Sequence, residues 1–136
     1  MIEINNTTYQ KINLALVKGV TEKFLKYYKI EGKEISVAFV GDKRIRTINS
    51  QYRKQDKITD VLSFNGEGDF LGEVVIDYQQ IKRQAKKQKK SVKSELIFIL
   101  VHGLLHLKGY DDDTEHKRLK MIELGEEFLR SYKVKS

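Results

Sequence analysis

The chain of 136 residues has no cysteine and no proline, and it owns only three histidines. Lack of cysteine excludes disulfides, thiolate metal sites and a cysteine nucleophile, and it fits a reducing cytosol. No low-complexity segment, repeat or linker divides the sequence. The longest apolar run, "LIFILV" at 96–101, is far too short to cross a bilayer. The first ten residues, "MIEINNTTYQ", lack the basic start and apolar core of a signal peptide. These absences predict a cytoplasmic protein without a membrane segment. The length and the ordinary apolar content predict one domain, 1–136, large enough to bury a core.

Charge is one-sided. Lysine and arginine total 26 against 19 acidic residues, a net of +7. Such an excess favours polyanionic partners, since basic side chains set against phosphates release condensed counterions. Seven basic residues and no acid fall in "KRQAKKQKKSVK", 82–93. That run reads first as a solvated helix face, with a nucleic-acid track as the alternative.

Hydrophobic periodicity orders the elements. Residues 2–5 alternate as a strand, and Thr7 or Thr8 is placed to cap a helix carrying Tyr9, Ile12, Leu16, Val20, Phe24 and Tyr27. "KEISVAFVG" (33–41) reads as a strand, followed by a short helix with Ile45, Ile48 and Tyr52 on one face. Residues 60–64 and 71–76 read as strands around the turn-forming "NGEGD". Helices are expected from Tyr78 to Lys90, from Ser91 or Ser94 to Leu107 with Gly109 as the stop, and over 113–131 with Leu119, Ile122 and Leu129 inward. The predicted fold class is α/β (α+β), with helices packed on one sheet of about four strands.

All three histidines lie in "VHGLLHLKGYDDDTEH", 101–116. His102 and His106 stand four apart, so on a helix they share one face and can reach one cation. After Gly109 the chain turns, and residues 110–116 can come back towards the pair. Three protein ligands with a fourth position open are what a hydrolytic metal centre needs. Glu95, two turns before His102, is placed to orient an imidazole, or to sit at the helix N-terminus for the dipole. The peptidase signature H-E-x-x-H would need glutamate at 103, where this chain has glycine.

Three blocks resemble the YbeY family of bacterial metal-dependent endoribonucleases: "HGLLHLKGYD" (102–111), "INSQYRKQDKITDVLSF" (48–64) and "LGEVVI" (71–76). Their order and the chain length agree as well. The resemblance implies a zincin-like metal helix and cleavage of single-stranded RNA. It also implies work on the small ribosomal subunit, in 16S rRNA 3′-end maturation and ribosome quality control. The family's third histidine falls, position by position, on Asp112. A set of His102, His106 and Asp112 is sound for one divalent ion, zinc first, with manganese or iron favoured by the anionic ligand. His116 is the competing third ligand. Asp111 matches an aspartate of the signature and is expected behind the ligands, and Asp113 is expected to cap the last helix. Arg53 matches the family arginine and is the candidate to neutralise a phosphorane. Lys57 and Thr59, together with Lys82, Arg83 and Lys86 of the basic run, are candidate RNA contacts. Proline is common in the family where this chain has Ile58 and Asn65. A reading from a different class is a non-catalytic ribosome-associated factor with a structural metal.

Overall fold

The computed structural model describes residues 1–132, so the last four positions of the expected 1–136 domain lie outside the described residues. Four strands form one sheet: β1 (Ile2–Asn6), β2 (Glu34–Val40), β3 (Val61–Asn65) and β4 (Phe70–Asp77). Their spatial order is β1-β2-β4-β3. Strands β1, β2 and β4 run parallel, and β3 closes one edge antiparallel to β4. The helices are α1 (Leu14–Tyr27), α2 (Asp42–Arg53), α3 (Tyr78–Lys87), α4 (Val92–Lys108) and α5 (Glu115–Tyr132). This is the α/β arrangement that the pattern of elements predicts.

Alternation along the strands splits the apolar residues between two faces. Ile35, Val37 and Phe39 of β2 and Val74 and Ile76 of β4 enter the main core with α1, α4 and the buried Ile81 of α3. Val40, Leu62 and Val75 point the other way and pack on Ile45 and Ile48 of α2. Helix α4 is apolar nearly all round because it lies inside: it packs on β3 and β4 and is flanked by α1, α3 and α5. Its ends are set by the residues that the sequence singles out. Ser91 accepts from the Ser94 amide, and Gly109, at φ 112°, closes the helix in the left-handed region.

Several expectations need correction. Helix α1 begins at Leu14, capped by Asn13, and not after Thr7 or Thr8. Thr7 instead donates its hydroxyl to the Phe39 carbonyl beside the sheet, Thr8 bonds the Asn6 side chain, and Tyr9 is fully exposed. Local side-chain bonding of this kind competes with helix initiation. Helix α3 stops at Lys87, since Lys89 adopts a left-handed φ of 56° that turns the chain towards Ser91. Helix α5 is capped by Thr114, whose hydroxyl accepts from the Lys117 amide, while Asp113 pairs with the Lys117 ammonium. Leu119 faces solvent at 52% exposure, and Met121, Gly125 and Phe128 are buried in its place.

Candidate metal centre

Helix periodicity sets His102 and His106 side by side on α4, with ring centroids 4.9 Å apart. Beyond Gly109 the chain doubles back: the Gly109 amide donates to the His106 carbonyl and the Tyr110 amide to the Leu105 carbonyl. That reversal delivers Asp112. Its Oδ2 lies 3.0 Å from His102 Nε2 and 3.4 Å from His106 Nε2. One donor atom from each residue falls within 4.8 Å of the others. Bonds of about 2.1 Å at tetrahedral angles separate ligand atoms by about 3.4 Å, so the donor set fits a divalent ion. The structure brings Asp112 to the pair, and not His116, which is exposed on the first turn of α5.

Asp112 is held in its carboxylate form. Partial burial works against charge on Asp112, but the hydrogen bond from His102 and the two imidazoles outweigh it and hold the carboxyl below its ordinary range. The His102, His106 and Asp112 side chains remain 19%, 26% and 40% exposed. They open on a cavity of about 810 Å³ bounded by the end of α2, the β3 edge, α4 and the start of α5. A site enclosed by the protein would leave no room for a substrate; this one does.

Gly103 explains how α4 comes so close to the sheet. A Cβ at this position would lie 2.8 Å from Val74 Cγ1 and 3.1 Å from Val61 Cγ2. Ser63 uses the same closeness, donating its hydroxyl to the Gly103 carbonyl at 2.9 Å. A glutamate at 103 would be driven into β4, so the peptidase signature is excluded by packing as well as by chemistry.

Other candidates sort by where the fold puts them. Arg53, the last residue of α2, lines the cavity, as do Thr59 and Asp111. Among the described residues Asp111 makes no side-chain hydrogen bond. Lys57 is outside the lining, and its carbonyl accepts from the buried Asn49 amide, which anchors the loop after α2. Glu95 is 2% exposed and does not orient an imidazole; its carboxylate receives the Gln84 amide and the Lys90 ammonium, both at 2.8 Å. A buried carboxylate needs such partners, and α3 and its following turn supply them. Lys82, Arg83 and Lys86 lie on α3, outside the cavity lining. Lys82 donates to Gln10, and Arg83 grips Asp42 through two nitrogens at 2.8 and 3.1 Å. The basic run lies along a solvated helix face outside the cavity, with Arg83 paired to Asp42.

Some cavity residues carry no signal that spacing or charge reveals. Asp60 lines it and accepts from Gln84 Nε2, the same amide that holds Glu95. Arg118 enters it from α5, paired with Glu115. Asp60 belongs to the "TDVLSF" block and could have been found there; Arg118 belongs to no block. Near α2, Asp77 is wholly buried and caps α3, and burial and then the neighbouring Asp42 push its pKa up to about 7.

Two imidazoles one turn apart and a returning carboxylate, beside a parallel-dominated sheet and an open cavity that Arg53 and Arg118 also line, define a protein of hydrolase type with a helix-borne cluster able to hold a metal. A model of the family described as Endoribonuclease YbeY matches residues 2–133. The chain belongs to that family. It is 38% identical to the Endoribonuclease YbeY of Bacillus mycoides (strain KBAB4), covering 88% of this chain and 86% of the relative. It is 41% identical to that of Geobacillus thermodenitrificans (strain NG80-2), over 75% of this chain and 74% of the relative. The solution structure of TM1509 from Thermotoga maritima superposes with a TM-score of 0.65 at 27% identity, covering 98% of this chain and 92% of the other. Among the described residues no helix is long and apolar enough to cross a membrane.

Proposed function

We propose that residues 1–136 form one domain that acts as a metal-dependent endoribonuclease specific for single-stranded RNA. Its place would be the cytoplasm, on the small ribosomal subunit, in 16S rRNA 3′-end maturation and ribosome quality control. The observation that carries this reading is the convergence of His102, His106 and Asp112 in an open cavity that Arg53 also lines, in a chain of the endoribonuclease YbeY family.

One divalent ion held by these three residues would supply a Lewis acid beside a phosphodiester. Zinc suits the two imidazoles, and the carboxylate of Asp112 widens the choice to manganese or iron. Arg53 would grip the phosphodiester, because a guanidinium forms paired hydrogen bonds to phosphate and stabilises the charge that grows as the phosphorus gains a fifth oxygen. Thr59 offers a hydroxyl on the same wall, and Lys57, two residues before it, adds positive charge to the same loop. Lys82, Arg83 and Lys86, on α3 outside the cavity, would attract RNA at longer range, Arg83 through a guanidinium shared with Asp42.

The test is cleavage of a single-stranded RNA by the purified protein, with His106→Ala prepared in parallel. Activity lost on chelation and in His106→Ala supports the reading. Equal residual cleavage by both proteins refutes it and leaves a non-catalytic metal-bearing factor.

A further inference from the structure

Tyr52 stands out among the aromatic residues. It is 69% exposed, although it is large and mostly apolar. Its ring sits edge-on against Phe64 of β3, centroids 5.4 Å apart, and the remainder of the ring faces the cavity that holds the metal cluster. Its neighbour in sequence, Arg53, lines the same cavity. An aromatic face and a guanidinium on one helix turn are the two contacts that a single nucleotide asks for, stacking for the base and paired hydrogen bonds for the phosphate.

The wall between Tyr52 and the histidines is polar in a defined way. The Asp77 amide bonds the Asp60 carbonyl and the Gly66 amide bonds the Leu71 carbonyl, so even-numbered residues of β3 bond to β4. In an antiparallel ladder the alternate residues point their N–H and C=O groups the other way. Val61, Ser63 and Asn65 thus present backbone donors and acceptors along the free edge, and all three line the cavity. Their side chains are committed elsewhere: Ser63 to the Gly103 carbonyl and Asn65 to the Leu107 carbonyl. Only the main chain is left to meet a ligand there.

We propose that Tyr52, braced by Phe64, is a nucleobase-stacking subsite, with the free β3 edge bonding the sugar and base edges of the nucleotide stacked on it. The inference rests on the endoribonuclease reading and adds a physical cause for strand selectivity. A base can lay its face on Tyr52 only when it is out of a helical stack, so a duplex is rejected at this wall. Stacking tolerates every base, which makes the subsite selective for strandedness and not for sequence.

The full chain, kept metal-free with chelator so that nothing is cleaved, is titrated into a fluorescent single-stranded RNA and into the same RNA annealed to its complement. Wild type is compared with Tyr52→Ala, Tyr52→Leu and Tyr52→Phe, each checked by circular dichroism and thermal melting. Single-strand affinity should fall about tenfold in Tyr52→Ala and in Tyr52→Leu, the latter still covering Phe64, and stay within about twofold in Tyr52→Phe. Duplex affinity should be the same for all four proteins. Equal single-strand binding by Tyr52→Ala, or full rescue by Tyr52→Leu, overturns the subsite while leaving the endoribonuclease reading intact. Absence of single-strand binding by the metal-free wild type overturns the subsite, whereas the endoribonuclease reading is decided by the cleavage test.

Discussion

Replacing Gly103 by alanine separates packing from helix propensity. In the bare helix Ala is favoured over Gly by about 1 kcal/mol. Here the new methyl would meet Val74 Cγ1 at 2.8 Å, about 0.7 Å inside the nearest comfortable carbon–carbon distance. Val74 is wholly buried on a strand flanked on both sides, and a β-branched side chain has little freedom to turn away. The helix must retreat, at a packing cost of about 1–3 kcal/mol. Net destabilisation of about 1 kcal/mol should lower the melting temperature by about 3–5 °C in a chain of this size. Gly125 of α5 is the matched control, since a methyl there would touch Val101 Cγ1 at an ordinary 3.6 Å. Gly125→Ala should therefore raise the melting temperature. Because His102 and His106 sit on α4 and Asp112 on the turn that follows it, whereas Arg53 sits on α2, Gly103→Ala should keep its metal and lose activity. Calorimetry of the two variants decides the matter, and a Gly103→Ala protein that melts at or above wild type refutes the argument.

Three further outcomes follow from the site and its surroundings. Asp112→Ala should lose bound metal, read by elemental analysis after dialysis, whereas His116→Ala should keep it; the reverse would reassign the third ligand. Arg53→Ala should retain metal and melting temperature but reduce kcat/KM by about 10²–10³, with partial recovery in Arg53→Lys. Asp77, with its pKa raised from 3.8 to about 7, keeps a proton in the folded state that the unfolded chain releases near pH 4. Its contribution to stability is thus greatest below pH 4, falls by at most about 1.4 kcal/mol per unit as pH rises towards 7, and levels off above that. Asp77→Asn keeps the acceptor for the Gln79 and Gln80 amides and cannot titrate. Urea unfolding between pH 5 and 8 should show the variant gaining on wild type as pH rises, and parallel curves would refute the shift.

What could be read from the sequence was whatever a short-range rule governs. Two histidines at helical spacing, a serine before the apolar run and a glycine after it fix α4 and the direction of its imidazoles without reference to the rest of the chain. The strands were legible for the same reason, as alternation of buried and exposed residues. Matters settled by distant partners were not. Thr7 is a sound cap until the Phe39 carbonyl, 32 residues away, takes its hydroxyl. Glu95 occupies the correct helix face to serve His102, yet burial makes it seek Lys90 and Gln84. The pairing of the Arg83 guanidinium with Asp42, 41 residues before it, is likewise invisible in the run 82–93. Leu119 obeys helical spacing, but the last helix meets the core only from Met121 onward.

Helix α4 is packed on strands and on three other helices, and this has a consequence for how the centre breathes. Amide protons around His102 and His106 should exchange with deuterium only through opening of the whole molecule, since no local fluctuation can free a helix packed on strands and on three other helices. Two of the three donors are thereby held in place whether or not an ion is present, and little conformational freedom is left for the ion to remove. A cation bound there is linked to global unfolding, so each tenfold excess over its dissociation constant adds about 1.4 kcal/mol to the stability of the entire chain. Chelation would then act on the protein as a mild denaturant acts, everywhere at once.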